Sequence, residues 1–169
     1  EAFLIHGGSL VERGDPPGVI LKYIRSYMGE GGQLLTQEFG TREVEIEDVT
    51  LHAGDGREAG VFESGGALLV DIAYRAHRRI EHPVFGFGLK TGNGFQVYGT
   101  NTQLLGRDIP FIEGRGVMRL SFEPLDLLHG NFFLSLSIHS HDHAVQYHRR
   151  EDWYPFSVRK PREEMGIVR

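Results

Sequence analysis

Four histidines fall within "LSLSIHSHDHAVQYHRR", residues 134–150: His139, His141, His143 and His148, with Asp142 among them. Imidazoles and a carboxylate at this spacing are zinc-ligand types. On a strand, His139 and His141 at i and i+2 can both ligate one ion, with His143 or Asp142 as a third ligand. The order nevertheless departs from two templates. The metallo-hydrolase pattern has one residue more than "HSHDH". The double-stranded β-helix pattern wants a Glu a few residues past the His pair, where Val145 and Gln146 stand. Exposed histidines at a strand end and turn are therefore the favoured reading. A metal-dependent enzyme using His139, His141 and His143 is the alternative.

Other chemistry is thinner. Glu45/Glu47 and Glu123/Asp126 are carboxylate pairs, but on alternating strands such pairs form a solvated face. There is no G-x-S-x-G elbow and no G-x-x-x-x-G-K-[ST] phosphate loop. Trp153, the sole Trp, is expected to be partly buried.

The elements that carry these residues show a period of two from Val44 onward. "VEIEDVTL", "ALLVDIAYRA", "PVFGFGLK", "FQVYGT", "VMRLSFEPL", "FFLSLSIHS" and "WYPFSV" read as short strands, separated by "HAGDG", "ESGG", "TGNG", "EGRG" and "LHGN". Many short strands without helical crossovers predict an all-β fold, an immunoglobulin-like antiparallel β-sandwich, with a barrel as the weaker alternative.

Alternation then sorts the side chains. Phe132, Leu134, Leu136 and Ile138 point inward, leaving Phe133, Ser135, Ser137, His139 and His141 outside. By the same rule Phe85, Phe87, Leu89, Phe95, Val97, Val145 and Tyr147 face in. If these strands share a sheet, Gly86, Gly88, Ser135 and Ser137 form a floor, ringed by Lys90, Gln96, Tyr98, His139, Gln146 and His148. Small residues leave room for a ligand to lie flat, and the polar and aromatic rim suits hydroxyl bonding and ring stacking. These ten are the candidate carbohydrate-binding residues.

Composition narrows the class. The chain has 169 residues, 40% apolar and 24% charged, and a formal net charge of −5 that argues against binding nucleic acid through phosphate neutralisation. There is no cysteine, hence no disulfide framework. No apolar run approaches the ~20 residues of a bilayer span. "EAFLIHGG" lacks an initiator Met and a signal-peptide layout, so the chain looks cut from something longer.

Residues 1–28 read differently: two short strands around "HGG", then a helix with Asp15 as N-cap, Pro16 at its first position and Val19, Ile20, Tyr23, Ile24 and Tyr27 on one face. Residues 29–42 read as a linker, 43–160 as the sandwich and 161–169 as a tail.

Two stretches carry a resemblance. "GGSLVERGDPPGVILKYIRSYM" resembles the end of the nucleotide-binding domain of polysaccharide-export ABC ATPases. "FESGGALLVDIAYRA", "VFGFGLKTGNGFQVYGTNT" and "LLHGNFFLSLSIHSHDHAVQYHRREDWYPFSV" resemble the C-terminal domain of Wzt-type subunits, over nearly all of residues 43–159. "VYGTNT", Val97–Thr102, is the most specific piece. The resemblance implies a sandwich that binds the exported glycan, commonly lipopolysaccharide O-antigen, without catalysis by this chain. It further implies a homodimer with C-terminal strands exchanged between protomers, a transmembrane permease reached through the parent ATPase, and a cytoplasmic place at the inner face of the bacterial inner membrane. ATP and Mg would belong to the missing nucleotide-binding domain, and no cofactor is expected here. Tyr98, Asn101 and Thr102 match the family motif and serve either sugar contact or folding and dimer contact, Asn and Thr being turn-formers. A dimer with two shallow sites would gain by effective concentration on a repeating polymer. The remaining alternative is a ligand-free dimerisation module.

Overall fold

The structure, a computed structural model, describes residues 1–6, 8–15, 19, 37–159 and 168. Eleven strands lie among them. β1 (Ala2–His6) and β2 (Ser9–Gly14) form an antiparallel hairpin. The helix expected after Asp15 falls almost wholly outside the described residues. The others are β3 (Gln37–Phe39), β4 (Val44–Ala53), β5 (Val61–Glu63), β6 (Leu68–Glu81), β7 (Val84–Thr91), β8 (Gln96–Asn101), β9 (Phe111–Phe122), β10 (Gly130–His139) and β11 (Gln146–Arg159).

β3, inside the segment read as linker, pairs with β11. Val168, in the segment read as tail, bridges antiparallel to Leu127. No helix among the described residues is long and apolar enough to cross a membrane.

The large sheet runs β3-β11-β10-β7-β8, with β5 added in parallel along the end of β11; the small sheet runs β4-β6-β9. Their inner faces meet over one core. From the large sheet come Phe85, Leu89, Phe132, Leu134, Leu136, Ile138 and Phe156, and from the small sheet Ile46, Leu68, Val70 and Ile72, all 2% exposed or less. Within the large sheet Phe132 stacks on Phe156 at 5.6 Å and Phe62 meets Phe156 edge-on at 5.8 Å, while Tyr74 of β6 packs on Phe85 of β7 at 5.4 Å across the two layers. This is the antiparallel sandwich that the alternation predicts.

β10 is the central strand that positions the site. It pairs with β7 over Phe132–His139 without a break and with β11 on its other side. Covered on both flanks, its outward Ser135 and Ser137 are 5% and 8% exposed. The β7–β8 turn closes with Gly94 N–H donating to Thr91 O at 2.9 Å, and Gly94 has φ +88, a conformation glycine adopts without strain.

Candidate functional site

Ser135 faces Gly88 and Ser137 faces Gly86 across the β10–β7 ladder, and Gly88 faces Gly99 across β7–β8. Three glycines and two serines thus lie side by side on the outer face. A cleft of about 310 Å³ opens over them, walled by Gln96, Thr100 and Asn101 on one side and by His139, His143, Gln146, Arg149 and Glu151 on the other. The floor is crowded at one point. A Cβ on Gly86 would come within 2.5 Å of Ser137 Oγ, so only glycine keeps the floor flat there.

The wall is held by local hydrogen bonds. Gln146 Nε2 donates to the Ile138 and His148 carbonyls at 2.9 Å each. In the turn between β10 and β11, Asp142 accepts from Ser140 Oγ at 2.6 Å and from Ala144 N–H at 3.1 Å, while Ser140 Oγ accepts from Val145 N–H at 2.9 Å. This Asx-type bonding fixes the loop that presents His141 and His143. His139 and His143 rings lie 4.4 Å apart, and His139 Nδ1 is 2.9 Å from the Ser140 carbonyl. The carbonyl requires Nδ1–H, so Nε2 of neutral His139 is an acceptor. Burial, followed by the His143 and Arg149 charges, pushes the His139 pKa down and favours that neutral form.

Next to the cleft the charges are mutually satisfied. Lys90 Nζ donates to Glu151 Oε1 at 2.7 Å and to Asp152 Oδ2 at 3.0 Å, and Arg149 pairs with Glu151 at 2.6 Å. Burial alone would raise the Glu151 carboxyl, but the bonds from Lys90 and Arg149 outweigh it and hold the pKa below the usual range. Burial likewise opposes the Lys90 charge, and the two carboxylates reverse that and raise its pKa. A face lined by neutralised charges and by hydroxyl, amide and imidazole groups is suited to uncharged polar ligands.

Of the ten candidate residues, Gly86, Gly88, Gln96, Ser135, Ser137, His139 and Gln146 line this cleft. Lys90 stands beside it through Glu151. Tyr98 and His148 do not face it, and the cause is the same for both.

Gln96 pairs with Lys90 and Tyr98 with Leu89, so Val97 is an extra residue, a bulge. The bulge reverses the alternation: Tyr98 falls on the core side opposite Leu89, its ring 6.5 Å from Phe122, in an apolar groove with Val97, Pro124 and Leu125.

In β11, Gln146 pairs with His139 and His148 with Ile138, which makes Tyr147 the extra residue. His148 is turned inward and fully buried. There Ile46 N–H donates to its Nδ1 at 2.7 Å, its Nε2 lies 3.0 Å from Glu38 Oε1, and Arg42 also contacts Nε2.

The wall residues Gly99, Thr100, Asn101, His143, Arg149 and Glu151 were not singled out by alternation. The charge-dense "HRRED" within an otherwise apolar strand was the available signal for two of them. In the family-motif segment, Asn101 Oδ1 accepts from Leu104 N–H at 2.8 Å and Thr102 Oγ1 accepts from Phe85 N–H at 3.1 Å. Both are turn and strand-end bonds, while Asn101 also borders the cleft. Trp153 is 36% exposed, with the Arg150 guanidinium 5.6 Å from its ring.

As a metal centre the histidines are poorly arranged. His143 Nε2 is 2.8 Å from Gln103 Oε1, His141 Nε2 is 3.2 Å from Gln103 Nε2, and His139 Nδ1 is committed to a carbonyl. Among the described residues no three His, Cys, Asp or Glu side chains converge as ligands.

Fold and face together define a two-sheet β-sandwich with a shallow polar cleft on the outer side of its larger sheet. The family model described as the Wzt C-terminal domain matches residues 36–169, and the chain belongs to that family. A solved structure described as the C-terminal domain of Wzt shares the fold, with a TM-score of 0.72 at 22% identity, over 82% of this chain and 86% of that one. The CARDB domain of a Pyrococcus furiosus protein in complex with di-metal ions has a TM-score of 0.36 at 10% identity, over 67% of this chain and 94% of that one. The soluble domain of PmoD from a Methylocystis species also has 0.36, at 14% identity, over 75% and 99%. These last two are too distant in shape to bear on function. No curated protein matches the chain significantly.

Proposed function

We propose that this chain is the glycan-recognition module of a polysaccharide ABC exporter, which binds a surface polysaccharide such as O-antigen and catalyses nothing itself. The observation that supports this most directly is the flat floor of Gly86, Gly88, Gly99, Ser135 and Ser137 under a polar rim. A pyranose can lie on the glycines while its hydroxyls meet Ser137, Gln96, Asn101 and His139. Membership of the Wzt C-terminal domain family supports the exporter context. In that context the domain is the C-terminal part of an ATP-binding subunit. It works as a homodimer at the cytoplasmic face of the inner membrane, and ATP and Mg act in the nucleotide-binding domain.

Recognition here is by hydroxyl hydrogen bonds on an open surface. The expected result is weak affinity for one repeat and stronger retention of polymer by a dimer. The test is an NMR titration of the chain with surface polysaccharide isolated from the same organism, with and without chelator. Shifts clustered on Gly86, Gln96, Ser135, Ser137 and His139, unchanged by chelator, are expected. No shifts at any polymer length would reject the reading in favour of a ligand-free dimerisation module.

A further inference from the structure

A second cleft, of about 190 Å³, lies at the end of the large sheet, lined by His82, Pro83, Val84, Thr102, Gln103, Gly106, Arg107, Asp108 and His141. Three connections meet there: the residues before β7, the turn after β8 and the β10–β11 turn. It is joined to the first cleft by an unbroken series of polar and aromatic contacts. The His139 and His143 rings lie tilted 4.4 Å apart, and His143 Nε2 meets Gln103 Oε1 at 2.8 Å. Gln103 Nε2 lies 3.2 Å from His141 Nε2, the His141 ring is 6.0 Å from His82, and His82 Nδ1 is 2.8 Å from Asp108 Oδ1. Gln103 is the ridge: one amide contacts a histidine of each cleft.

Size argues for joint use. Pockets that enclose a drug-sized ligand measure about 300–1,000 Å³, so the first cleft is at the lower limit and the second is below it. Neither alone holds several linked sugars. The backbone gives independent support. His82 and His143 have φ +44 and +60, a region that side-chain-bearing residues seldom occupy and that clusters at ligand sites. Each is pinned by a backbone bond, His82 N–H to Pro110 O and His143 N–H to Ser140 O, both at 3.0 Å. Finally, Arg107 is exposed and makes no ion pair among the described residues, unlike Lys90 and Arg149. Its donors are available to a ligand.

We propose that the two clefts form one binding track, in which the second takes the sugar adjacent to the one held over Ser135 and Ser137, through His82, Gln103, Arg107 and His141. This rests on the glycan-recognition reading above. It gives the bonding of the histidine-rich turn a role: the turn shapes the ridge and both walls.

The test uses monosaccharides and two- to four-sugar fragments of the organism's surface polysaccharide, too short to bridge two protomers. Backbone amide shifts are recorded for each. Monosaccharides should perturb the Gly86–Ser137 region; the longer fragments should add Gly106, Arg107 and His141. The double variant His82→Ala/Arg107→Ala should weaken the four-sugar fragment about tenfold, as expected for loss of one or two ligand hydrogen bonds. Its amide spectrum reports whether it is folded, and Arg107→Gln alone, a milder change, should weaken the fragment in the same direction. Four-sugar shifts confined to the first cleft, or affinity unchanged in a folded double variant, would overturn the track and leave glycan recognition standing. Absence of binding by every fragment and by the polymer would instead remove the reading beneath it.

Discussion

Ser135 and Asp152 exchange hydrogen bonds across the β10–β11 ladder: Asp152 N–H donates to Ser135 Oγ at 2.8 Å, and Ser135 Oγ donates to Asp152 Oδ1 at 3.1 Å. The exchange occurs where β11 departs from regular pairing, since Leu136 faces Arg150 but Leu134 faces Tyr154. Asp152, 4% exposed and at φ +50, takes up the extra chain and turns its other oxygen to Lys90. The floor serine and the neighbouring ion pairs are therefore held by one buried carboxylate. Asp152→Ala should cost about 2–4 kcal/mol, because it strands Ser135 and removes a Lys90 partner. Asp152→Asn, which keeps an acceptor and tolerates positive φ, should cost about 1 kcal/mol. Urea unfolding of both variants checks the order, and equal losses would count against the role assigned to the hydroxyl bond.

Gly86→Ala places a methyl group 2.5 Å from Ser137 Oγ, on the floor itself. We expect about 1–2 kcal/mol lost from overpacking and at least tenfold weaker glycan binding. Adding Ser137→Ala should recover the stability by removing the clashing oxygen, since adjacent sites are not additive. It should not recover the affinity, because a hydroxyl partner is gone. Calorimetric titration of both variants against polysaccharide, with urea unfolding for stability, checks this, and full recovery of binding in the double variant would mean that Ser137 Oγ is no ligand contact.

Much of this face was legible in the sequence because alternation is local. The run Phe132, Leu134, Leu136, Ile138 against Ser135, Ser137 needs no partner to be read, and β10 has it without interruption. Tyr98 and His148 were misplaced by the same rule. Each follows a single inserted residue, Val97 and Tyr147, and an insertion is defined only against the facing strand. Lys90 and Ile138, which set those registers, are eight and ten residues distant in sequence from Tyr98 and His148. The charge-dense "HRRED" marked Arg149 and Glu151 without placing them on the cleft wall, and the Gln103 ridge carried no local signal, because the neighbours of all three come from other elements.

Acid sensitivity follows from the buried cluster around His148. Burial, then the Arg42 charge, lowers the His148 pKa below its ordinary 6.5, with the Glu38 bond opposing. The folded state thus resists a proton that the unfolded chain accepts. Stability is present above pH 6.5 and declines as pH falls below it. Hydrogen bonds from Arg42 and Arg150, with His148 adding to them against burial, hold Glu38 at about 2. Its contribution is complete above its unfolded value of 4.5 and is lost as pH falls from there towards about 2. Thermal melting should therefore show two acid limbs. His148→Asn should flatten the upper limb and Glu38→Gln the lower one, and a wild-type midpoint constant between pH 7 and 5 would contradict the buried neutral imidazole.

Metal removal should leave the domain's ligand binding unchanged. His139 uses Nδ1 on a backbone carbonyl, and His143 and His141 direct Nε2 at the two ends of one Gln103 amide. To gather these rings on one ion the turn must give up the Gln103 contacts and rotate His139 off Ser140, at a cost of about 0.5–1.5 kcal/mol per bond. Zinc added in excess can do this, so weak binding in vitro is expected, with loss of zinc on dialysis. The decisive comparison is polysaccharide affinity before and after exhaustive chelation, together with zinc content by elemental analysis. Equal affinities with sub-stoichiometric zinc are the expected outcome. One zinc per chain surviving dialysis, with affinity or an activity abolished by chelation and by His143→Ala alike, would restore the metal-dependent alternative.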